Sequence, residues 1–307
     1  YGFRLEAVDA AGNVGPAVTV SGTTQAPPGP TAVWADEFDS RNISCEGNTN
    51  GWWTWFKGYN VRNLNGNSDK GWKGCEEEVW AANGNPARSL RSIIEAADPA
   101  PAYKAYYLQD VSNGTLKLRC YPNGVPERDS IWGLSHSCGM ISSETWPDRA
   151  KATGYWETRM RITSLTKGQH LAVWFIPQDS SAYPPEIDIG EWVDNNADKD
   201  VSIHNMNIHG ETVTDEMTFD TVADPNGWHT YGLEITSDEI KWYRDGVLRR
   251  TSSNRFTTEE LNNQPAQPLA FLVSWEHSSS WPGQPDASTV YPAEAEIDYV
   301  RYYSEKP

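Results

Sequence analysis

Short stretches that alternate apolar and polar residues follow one another along most of the chain from Trp34 onward. They are rich in β-branched and aromatic residues and are bounded by Gly, Pro, Asn or Asp, which is typical of strands with one buried face. The clearest are GTLKLRCYP, GLSHSCGMISS, GYWETRMRITS, HLAVWFIP, EIDIGEWV, DVSIHNMNIHG, HTYGLEIT, EIKWYRDGVLRR, LAFLVSW and AEIDYVRYYS. Because no long helical period interrupts them, the pattern predicts an all-β fold, either a sandwich or a jelly roll.

Three other segments carry local signals. Asp245-Gly246 separates two strand-like runs and predicts a two-residue hairpin turn. Residues 257–264, TTEELNNQ, favour a helical turn. Residues 39–105 are rich in Gly, Asn, Trp and Tyr but weakly patterned, so we expect long loops that wall a binding cleft.

The first residues form a separate pattern. Residues 1–22 alternate apolar and polar on both sides of the turn signal DAAGN, which predicts a hairpin of two strands. They resemble the last two strands of a fibronectin type III domain, and such a remnant cannot close a sandwich core by itself. Residues 23–31, TTQAPPGPT, predict a stiff proline-rich linker, which leaves residues 32–305 as the main domain.

Charge and aromatic content narrow the classes of partner. The formal net charge of −17 would repel nucleic acids and anionic membranes, so we expect neither as a partner. The 15 tryptophans and 14 tyrosines indicate either a large aromatic core or a groove that stacks flat ligands such as sugar rings. Both interpretations stay open on composition alone.

The cysteines favour disulfide bonds over a metal cluster. None of the four lies in a CxxC pair, and only Cys138 has a nearby histidine, His136. Two disulfides imply that the protein is secreted. Cys120 and Cys138 lie in neighbouring predicted strands, so we predict that they pair, which leaves Cys45 to pair with Cys75 across the long loops.

Three carboxylates interrupt one of the apolar stretches, EIDIGEWV. Glu186 and Asp188 are two residues apart and share a face of a strand, whereas Glu191 should point to the other face. One extra residue at Ile189-Gly190 would form a β-bulge and return Glu191 to the face of the first two acids. A solvated polar face or a calcium cluster is the alternative explanation.

Two glutamates on either side of one bond are what glycoside hydrolysis requires. One attacks the sugar carbon, and the other donates a proton to the leaving oxygen and later activates water. An aspartate between them would bond to the carboxyl group of the nucleophile and tune its charge. A groove lined with aromatic residues would bind the same kind of ligand, a chain of sugar rings.

EIDIGE resembles the signature ExDxxE of glycoside hydrolase family sixteen, the β-jelly-roll endoglycanases that include laminarinases, licheninases, agarases and carrageenases. The resemblance extends over nearly all of residues 34–303. It includes the opening segment WADEFDS, the strand GYWETRMRI, the late hairpin WHTYGLEITSDEIKWYRDGV and the closing segment SWPGQPDASTVYPAEAEIDYVRYY.

The resemblance implies a concanavalin-like β-jelly roll of two curved antiparallel sheets and a retaining mechanism that uses no catalytic cofactor. Glu186 matches the nucleophile, Asp188 the assisting acid and Glu191 the acid/base of that family. His209 matches a histidine on the neighbouring strand that reaches toward the reacting sugar, with a packed core histidine as the alternative.

The resemblance also suggests binding residues for the sugar chain. Trp174 and Trp281 match positions that stack sugar rings, although each could instead be a core residue. Trp192 follows Glu191 in the chain, so we expect it to face the core.

A structural calcium ion is a further expectation. Asp298 matches the family's metal-binding aspartate, and Glu37 would be its partner, since a hard cation prefers oxygen ligands. A buried acid that pairs with a nearby arginine such as Arg301 is the alternative.

Two segments depart from the family's pattern. Residues 76–83, EEEVWAAN, and residues 274–283, SWEHSSSWPG, differ from laminarinases where the family lines its sugar sites. The newcomers Glu276 and His277 could bind a pattern of sugar hydroxyl groups that a plain glucan lacks, with solvent-facing side chains as the alternative. We therefore expect a polysaccharide substrate, first a β-1,3-glucan and alternatively an agarose- or carrageenan-like galactan. The same residues also suit a transglycosylase, and the same fold suits a non-catalytic carbohydrate-binding jelly roll.

We expect a monomer within a larger multidomain secreted chain.

Overall fold

The computed structural model describes residues 2–5, 18–21, 31–44, 51–53, 108–122, 136–143, 153–177, 185–193, 202–209, 216–222, 224, 226–254, 269–277, 282–283 and 285–307. Regular structure in these ranges is β throughout, and none of it is a helix long and apolar enough to cross a membrane. The strands are β1 Gly2–Leu5, β2 Val18–Ser21, β3 Trp34–Asp36, β4 Ile43–Ser44, β5 Trp52–Trp53, β6 Gln109–Ser112, β7 Thr115–Pro122, β8 His136–Cys138, β9 Met140–Ser142, β10 Gly154–Ser164, β11 Gln169–Pro177, β12 Glu186–Val193, β13 Ser202–His209, β14 Glu216–Val222, β15 His229–Ile235, β16 Glu239–Arg244, β17 Val247–Ser253, β18 Leu269–His277 and β19 Ala293–Tyr303.

The chain divides into two compact units, residues 1–31 with Pro307 and residues 32–306. In the first unit β1 and β2 pair antiparallel, with Gly2 across from Ser21 and Leu5 across from Val18. This pairing is the hairpin that the alternating pattern predicts. Its likeness to a fibronectin type III domain stays a prediction.

The second unit consists of two sheets. A nine-stranded sheet has the order β17-β16-β15-β10-β19-β7-β6, with β3 added on β19 and β8 on β7. An eight-stranded sheet has the order β14-β13-β12-β11-β18-β9-β5-β4. Neighbouring strands run antiparallel except for β4 and β5, which are parallel. The all-β sandwich predicted from the sequence is therefore confirmed.

The core lies between the two sheets. Every second residue of a strand points into it, because successive side chains of a strand point to opposite faces. In β11, Leu171, Val173 and Phe175 join the main core, where Trp156 of the opposite sheet stacks on Phe271 at a centroid distance of 5.4 Å. The residues between them point away from the core and belong to a second group, the outer apolar cluster. Its members are Met140, Ala172, Trp174, Ile176, Ala270 and Leu272. The outer side of the eight-stranded sheet is thus covered at its centre, and we call it the outer face.

A disulfide joins two neighbouring strands of the nine-stranded sheet. Cys120 of β7 lies directly across from Cys138 of β8, and their sulfur atoms are bonded. The predicted Cys120–Cys138 pair is confirmed. The predicted Cys45–Cys75 pair lies outside the described residues.

The predicted hairpin at Asp245-Gly246 is also confirmed. β16 and β17 pair with Arg244 across from Val247, so two residues form the connection. Both have positive φ, 51° at Asp245 and 73° at Gly246, which is the backbone geometry that suits a two-residue turn between twisted strands. The helical turn predicted at residues 257–264 lies outside the described residues.

One aspartate connects the edges of the two sheets. Asp220 lies on β14, the edge of the eight-stranded sheet, and its carboxylate accepts hydrogen bonds from Arg249 at 2.5 and 2.8 Å. Arg244 Nη1 lies 2.8 Å from Asp220 Oδ2 and also donates to the carbonyl oxygen of Thr221. Both arginines come from the nine-stranded sheet, so this group closes the sandwich on one side.

Candidate active site

The strand β12 contains one more residue than its neighbours can pair. Along β11, Ala172 lies across from Glu191 and Val173 from Gly190, but Trp174 lies across from Asp188. Ile189 is the residue skipped, because it has no partner on β11 in this register. The pairing of β12 with β13 shifts over the same stretch. The β-bulge predicted at Ile189-Gly190 is therefore present.

The bulge brings the three acids to one face. Ala172 and Trp174 are two apart in a strand that pairs regularly with β18, so they share the outer face. Their partners Glu191 and Asp188 share it with them, and Glu186, two residues before Asp188, follows the same parity.

Other residues of β12 point into the core, as they must if the three acids point to the outer face. Ile187, Ile189 and Trp192 all belong to the main core and are at most 1% exposed. Trp192 packs edge-on against Tyr231 of the opposite sheet, with ring centroids 4.9 Å apart. The prediction that Trp192 is a core residue is confirmed.

A tryptophan from the opposite sheet stabilises the bulged backbone. The indole Nε1 of Trp242, on β16, donates a hydrogen bond of 2.7 Å to the carbonyl oxygen of Asp188. Trp242 is fully buried, and a bulge disrupts the regular strand ladder, so a carbonyl group there needs a partner from elsewhere. This bond connects the core of the sandwich to the middle acid.

A histidine contacts the third acid. Nε2 of His170, the second residue of β11, lies 3.1 Å from Oε1 of Glu191. The two side chains are 11% and 15% exposed, so the contact is mostly shielded from water. His170 lies across from Val193, which makes Glu191 its diagonal neighbour and explains how the imidazole reaches it.

Sequence reasoning missed His170 and the role of Trp242. The signal for His170 was a polar residue at an alternate position of the apolar stretch QHLAVWFIP, on the same parity as Trp174. The alternation in EIKWYR indicates that Trp242 is buried, but no local pattern names a partner 54 residues away.

The predicted sugar-stacking residue Trp174 lies on the outer face beside the acids. Its indole Nε1 donates a hydrogen bond of 3.1 Å to Oγ of Ser274, and the residue is 4% exposed. Trp174 therefore lies across from Asp188 as a mostly covered ring, and its contact with a sugar stays a prediction.

The other predicted binding residues are described by backbone alone or not at all. His209 lies across from Glu186 on β13, so its backbone is beside the residue that is predicted to be the nucleophile. Glu276 lies across from His170 on β18. The side chains of both, and the whole of Trp281, lie outside the described residues.

The two predicted calcium ligands each pair with an arginine. Oδ2 of Asp298 lies 2.5 Å from Nη1 of Arg159, and the carboxylate of Glu37 accepts hydrogen bonds from Arg301 at 2.7 and 2.8 Å. A guanidinium group at each carboxylate does not fit a shared cation. In the described part of the chain no group of three or more His, Cys, Asp or Glu side chains is placed to hold a metal ion. The arginine pairing that the alternative describes is thus present, with Arg159 rather than Arg301 as the partner of Asp298, and the calcium site stays a prediction.

The structure is a two-sheet β-sandwich with three acids on the outer face of one sheet, as the resemblance to jelly-roll endoglycanases implies. Residues 102–301 match the family described as glycosyl hydrolases family 16. The chain belongs to that family.

Relatives and solved structures agree with this assignment. The chain is 28% identical over 194 residues to the endo-1,3-1,4-beta-glycanase ExsH of Rhizobium meliloti (strain 1021), covering 63% of this chain and 39% of the relative. It is 26% identical over 221 residues to the kappa-carrageenase of Pseudoalteromonas carrageenovora, covering 62% of this chain and 55% of the relative. The matched part thus covers 39% and 55% of the length of these two relatives.

The fold is similar to the laminarinase catalytic domain from Thermotoga maritima MSB8. The TM-score is 0.58 at 20% identity, covering 91% of this chain and 99% of that chain. At this identity the likeness concerns the fold.

Proposed function

We propose that this chain is a retaining endo-β-glycanase that hydrolyses a polysaccharide bound across the outer face of the eight-stranded sheet. In this proposal Glu186 is the nucleophile, Glu191 the acid/base and Asp188 the acid that assists the nucleophile. The observation that carries it is the bulge at Ile189-Gly190, because a regular strand would turn Glu191 away from Glu186. Membership of the family supports the same roles.

The chemistry needs two steps. First the carboxylate of Glu186 bonds to the anomeric carbon, the glycosidic C–O bond breaks, and the leaving oxygen takes the proton of Glu191. Then Glu191, now a carboxylate, removes a proton from water, and the water oxygen displaces Glu186 from the sugar. Each displacement inverts the anomeric carbon, so the configuration is retained.

Azide rescue tests the two roles. Glu186→Ala with azide and a 2,4-dinitrophenyl β-glycoside should give at best the α-glycosyl azide, since azide takes the place of the nucleophile. Glu191→Ala should still form the glycosyl-enzyme from this activated substrate and then give the β-azide. If the two variants give the opposite products, the roles are exchanged; if both variants hydrolyse polysaccharide normally, the site is wrong.

A β-1,3-glucan is the first candidate substrate. The similarity to an endo-1,3-1,4-beta-glycanase supports a β-glucan. An agarose- or carrageenan-like galactan is the second candidate, supported by the similarity to a kappa-carrageenase and by the unusual segments at residues 76–83 and 274–283. The net charge of −17 disfavours heavily sulfated chains.

A panel of polysaccharides separates these candidates. The protein is incubated with laminarin, mixed-linkage β-glucan, κ-carrageenan and agarose, and the products are sized. Endo-cleavage of laminarin with a rapid fall in chain length is the expected result. Longer products in the presence of added oligosaccharide acceptors would identify a transglycosylase, and binding without cleavage of any polysaccharide would identify a carbohydrate-binding protein.

We further propose that the protein is secreted and acts as a monomeric domain on its polysaccharide. The Cys120–Cys138 disulfide supports secretion, because disulfides persist in oxidising compartments. A fractionation experiment that finds the protein in the culture medium would agree with it, whereas a reduced protein retained in the cytosol would contradict it.

A further inference from the structure

The position of His170 on the outer face is unusual for its strand. The other outer-face residues of β11 are Ala172, Trp174 and Ile176, all apolar and at most 6% exposed. β11 lies in the middle of the eight-stranded sheet, paired along its length with β12 and β18. A polar ring at this shielded position is costly unless it has a hydrogen-bond partner.

His170 contacts one particular oxygen of Glu191. Nε2 lies 3.1 Å from Oε1. A neutral imidazole with its proton on Nε2 can donate to Oε1 both when Glu191 is a carboxylate and when its other oxygen, Oε2, carries the proton. A hydrogen bond from Nε2–H to Oε1 is therefore compatible with both states that an acid/base passes through.

We propose that His170 is a positioning residue for the acid/base: its Nε2–H holds Oε1 of Glu191 and leaves Oε2 to exchange the proton with the glycosidic oxygen and then with water. This inference rests on the proposed function, because it assumes that Glu191 is the acid/base. Without the contact the carboxyl group rotates about its last bond, and the proton is less often directed at the leaving oxygen.

The proposal predicts a dependence on the leaving group. A polysaccharide has a poor leaving oxygen that needs the proton, whereas 2,4-dinitrophenolate leaves without one. His170→Leu should lower kcat/KM about 10- to 100-fold on the polysaccharide that the native protein cleaves. On the 2,4-dinitrophenyl β-glycoside of the same sugar, kcat/KM should change little, since it reports only the first step. His170→Gln, whose amide can donate from a similar place, should recover part of the loss.

His229 provides a matched control. Its Nδ1 lies 2.8 Å from Oδ2 of Asp245, so it is also a histidine paired with a carboxylate, but on β15 of the other sheet. His229→Leu should leave both kcat/KM values unchanged in folded protein. An equal loss on both substrates in His170→Leu, or no loss on the polysaccharide, would overturn the proposal and leave His170 as a packing residue.

A spectroscopic measurement tests the contact without any substrate. In a long-range ¹H–¹⁵N spectrum of histidine-labelled protein, His170 is assigned by its absence in His170→Leu. The expected result is the Nε2-protonated form, with a ring-nitrogen shift that changes in Glu191→Gln and not in His229→Leu. An Nδ1-protonated His170 that is insensitive to Glu191→Gln would overturn the proposal. If no polysaccharide is cleaved, the proposed function fails, and this spectrum still decides whether His170 holds Glu191.

Discussion

The buried indole of Trp242 donates a hydrogen bond to the carbonyl oxygen of Asp188, across the core from one sheet to the other. Asp188 precedes the extra residue of the bulge, so this bond fixes the backbone where the strand changes parity. The orientation of three acids on the outer face thus depends on a residue that cannot touch substrate, since Trp242 is fully buried.

Replacing Trp242 by Phe should reduce both stability and activity. The variant leaves a buried carbonyl group without its donor, which costs about 1–3 kcal/mol of unfolding free energy. A small displacement of Asp188 should also lower kcat by about 10- to 100-fold. Urea denaturation and initial rates on the cleaved polysaccharide measure the two effects separately.

Trp275→Phe is the matched control for this variant. Trp275 is also fully buried and donates to a backbone carbonyl, that of Leu118, at 2.8 Å. Its loss should cost similar stability with a smaller fall in kcat, because Leu118 lies on β7 of the nine-stranded sheet, whereas the acids lie on β12 of the other sheet. Equal falls in kcat for the two variants would contradict a specific role for the Trp242–Asp188 bond.

Deletion of Gly190 should lower turnover strongly, although all three carboxylates remain in the sequence. The deletion removes the extra residue, so Glu191 would move to the core side of β12 or the strand would lose its register. We expect activity to fall about 10²- to 10⁴-fold, the usual worth of an acid/base group. Gly190→Ala keeps the residue count and should retain far more activity. A melting curve must accompany the assay, and normal turnover by the folded deletion variant would refute the bulge argument.

Buried tyrosines should make the protein sensitive to alkali. Burial, and next the nearby carboxylate of Glu157, raise the pKa of Tyr155 and of Tyr299 well above the usual value of 10.0. Both hydroxyl groups donate to Glu157, at 3.0 and 2.7 Å.

Because the pKa of both tyrosines is raised in the folded protein, the unfolding free energy should fall at alkaline pH. Above about pH 10 the unfolded chain releases tyrosine protons that the folded protein still holds, so the unfolding free energy falls as pH rises. Below about pH 10 these groups contribute no pH dependence. Urea denaturation at pH 8, 9, 10 and 11 should show this fall, and Tyr155→Phe/Tyr299→Phe should make it shallower. An equally steep fall in the double variant would contradict the assignment.

Chelation tests the calcium prediction against the observed ion pairs. If Asp298 and Glu37 act only through Arg159 and Arg301, EDTA should not change the melting temperature. Asp298→Asn should then cost at most about 1 kcal/mol, since the Asp298–Arg159 pair is partly exposed. A fall in melting temperature with EDTA that Asp298→Asn abolishes would instead support the calcium site. In either case the initial rate at low temperature should stay nearly unchanged.

The sequence pattern was sufficient to predict those features that depend on residues close together in the chain. The alternation of apolar residues predicted the strands, Asp245-Gly246 predicted its turn, and the position of Cys120 and Cys138 in nearby strands predicted their disulfide. The spacing of Glu186, Asp188 and Glu191 was also sufficient to predict the bulge, because the period of a strand is two and one extra residue shifts every later side chain to the other face.

The sequence by itself therefore determined the fold class, the strand that carries the acids and the need for a bulge within it. Only the tertiary structure decided which groups surround that strand: Trp242, which binds the Asp188 carbonyl from the other sheet, His170, which reaches Glu191 from the neighbouring strand, and Arg159, which pairs with Asp298. The physical reason is that these contacts depend on sheet order and strand register. Both are set by how distant segments bury their apolar faces together, and no pattern within one segment records which other segment will lie beside it.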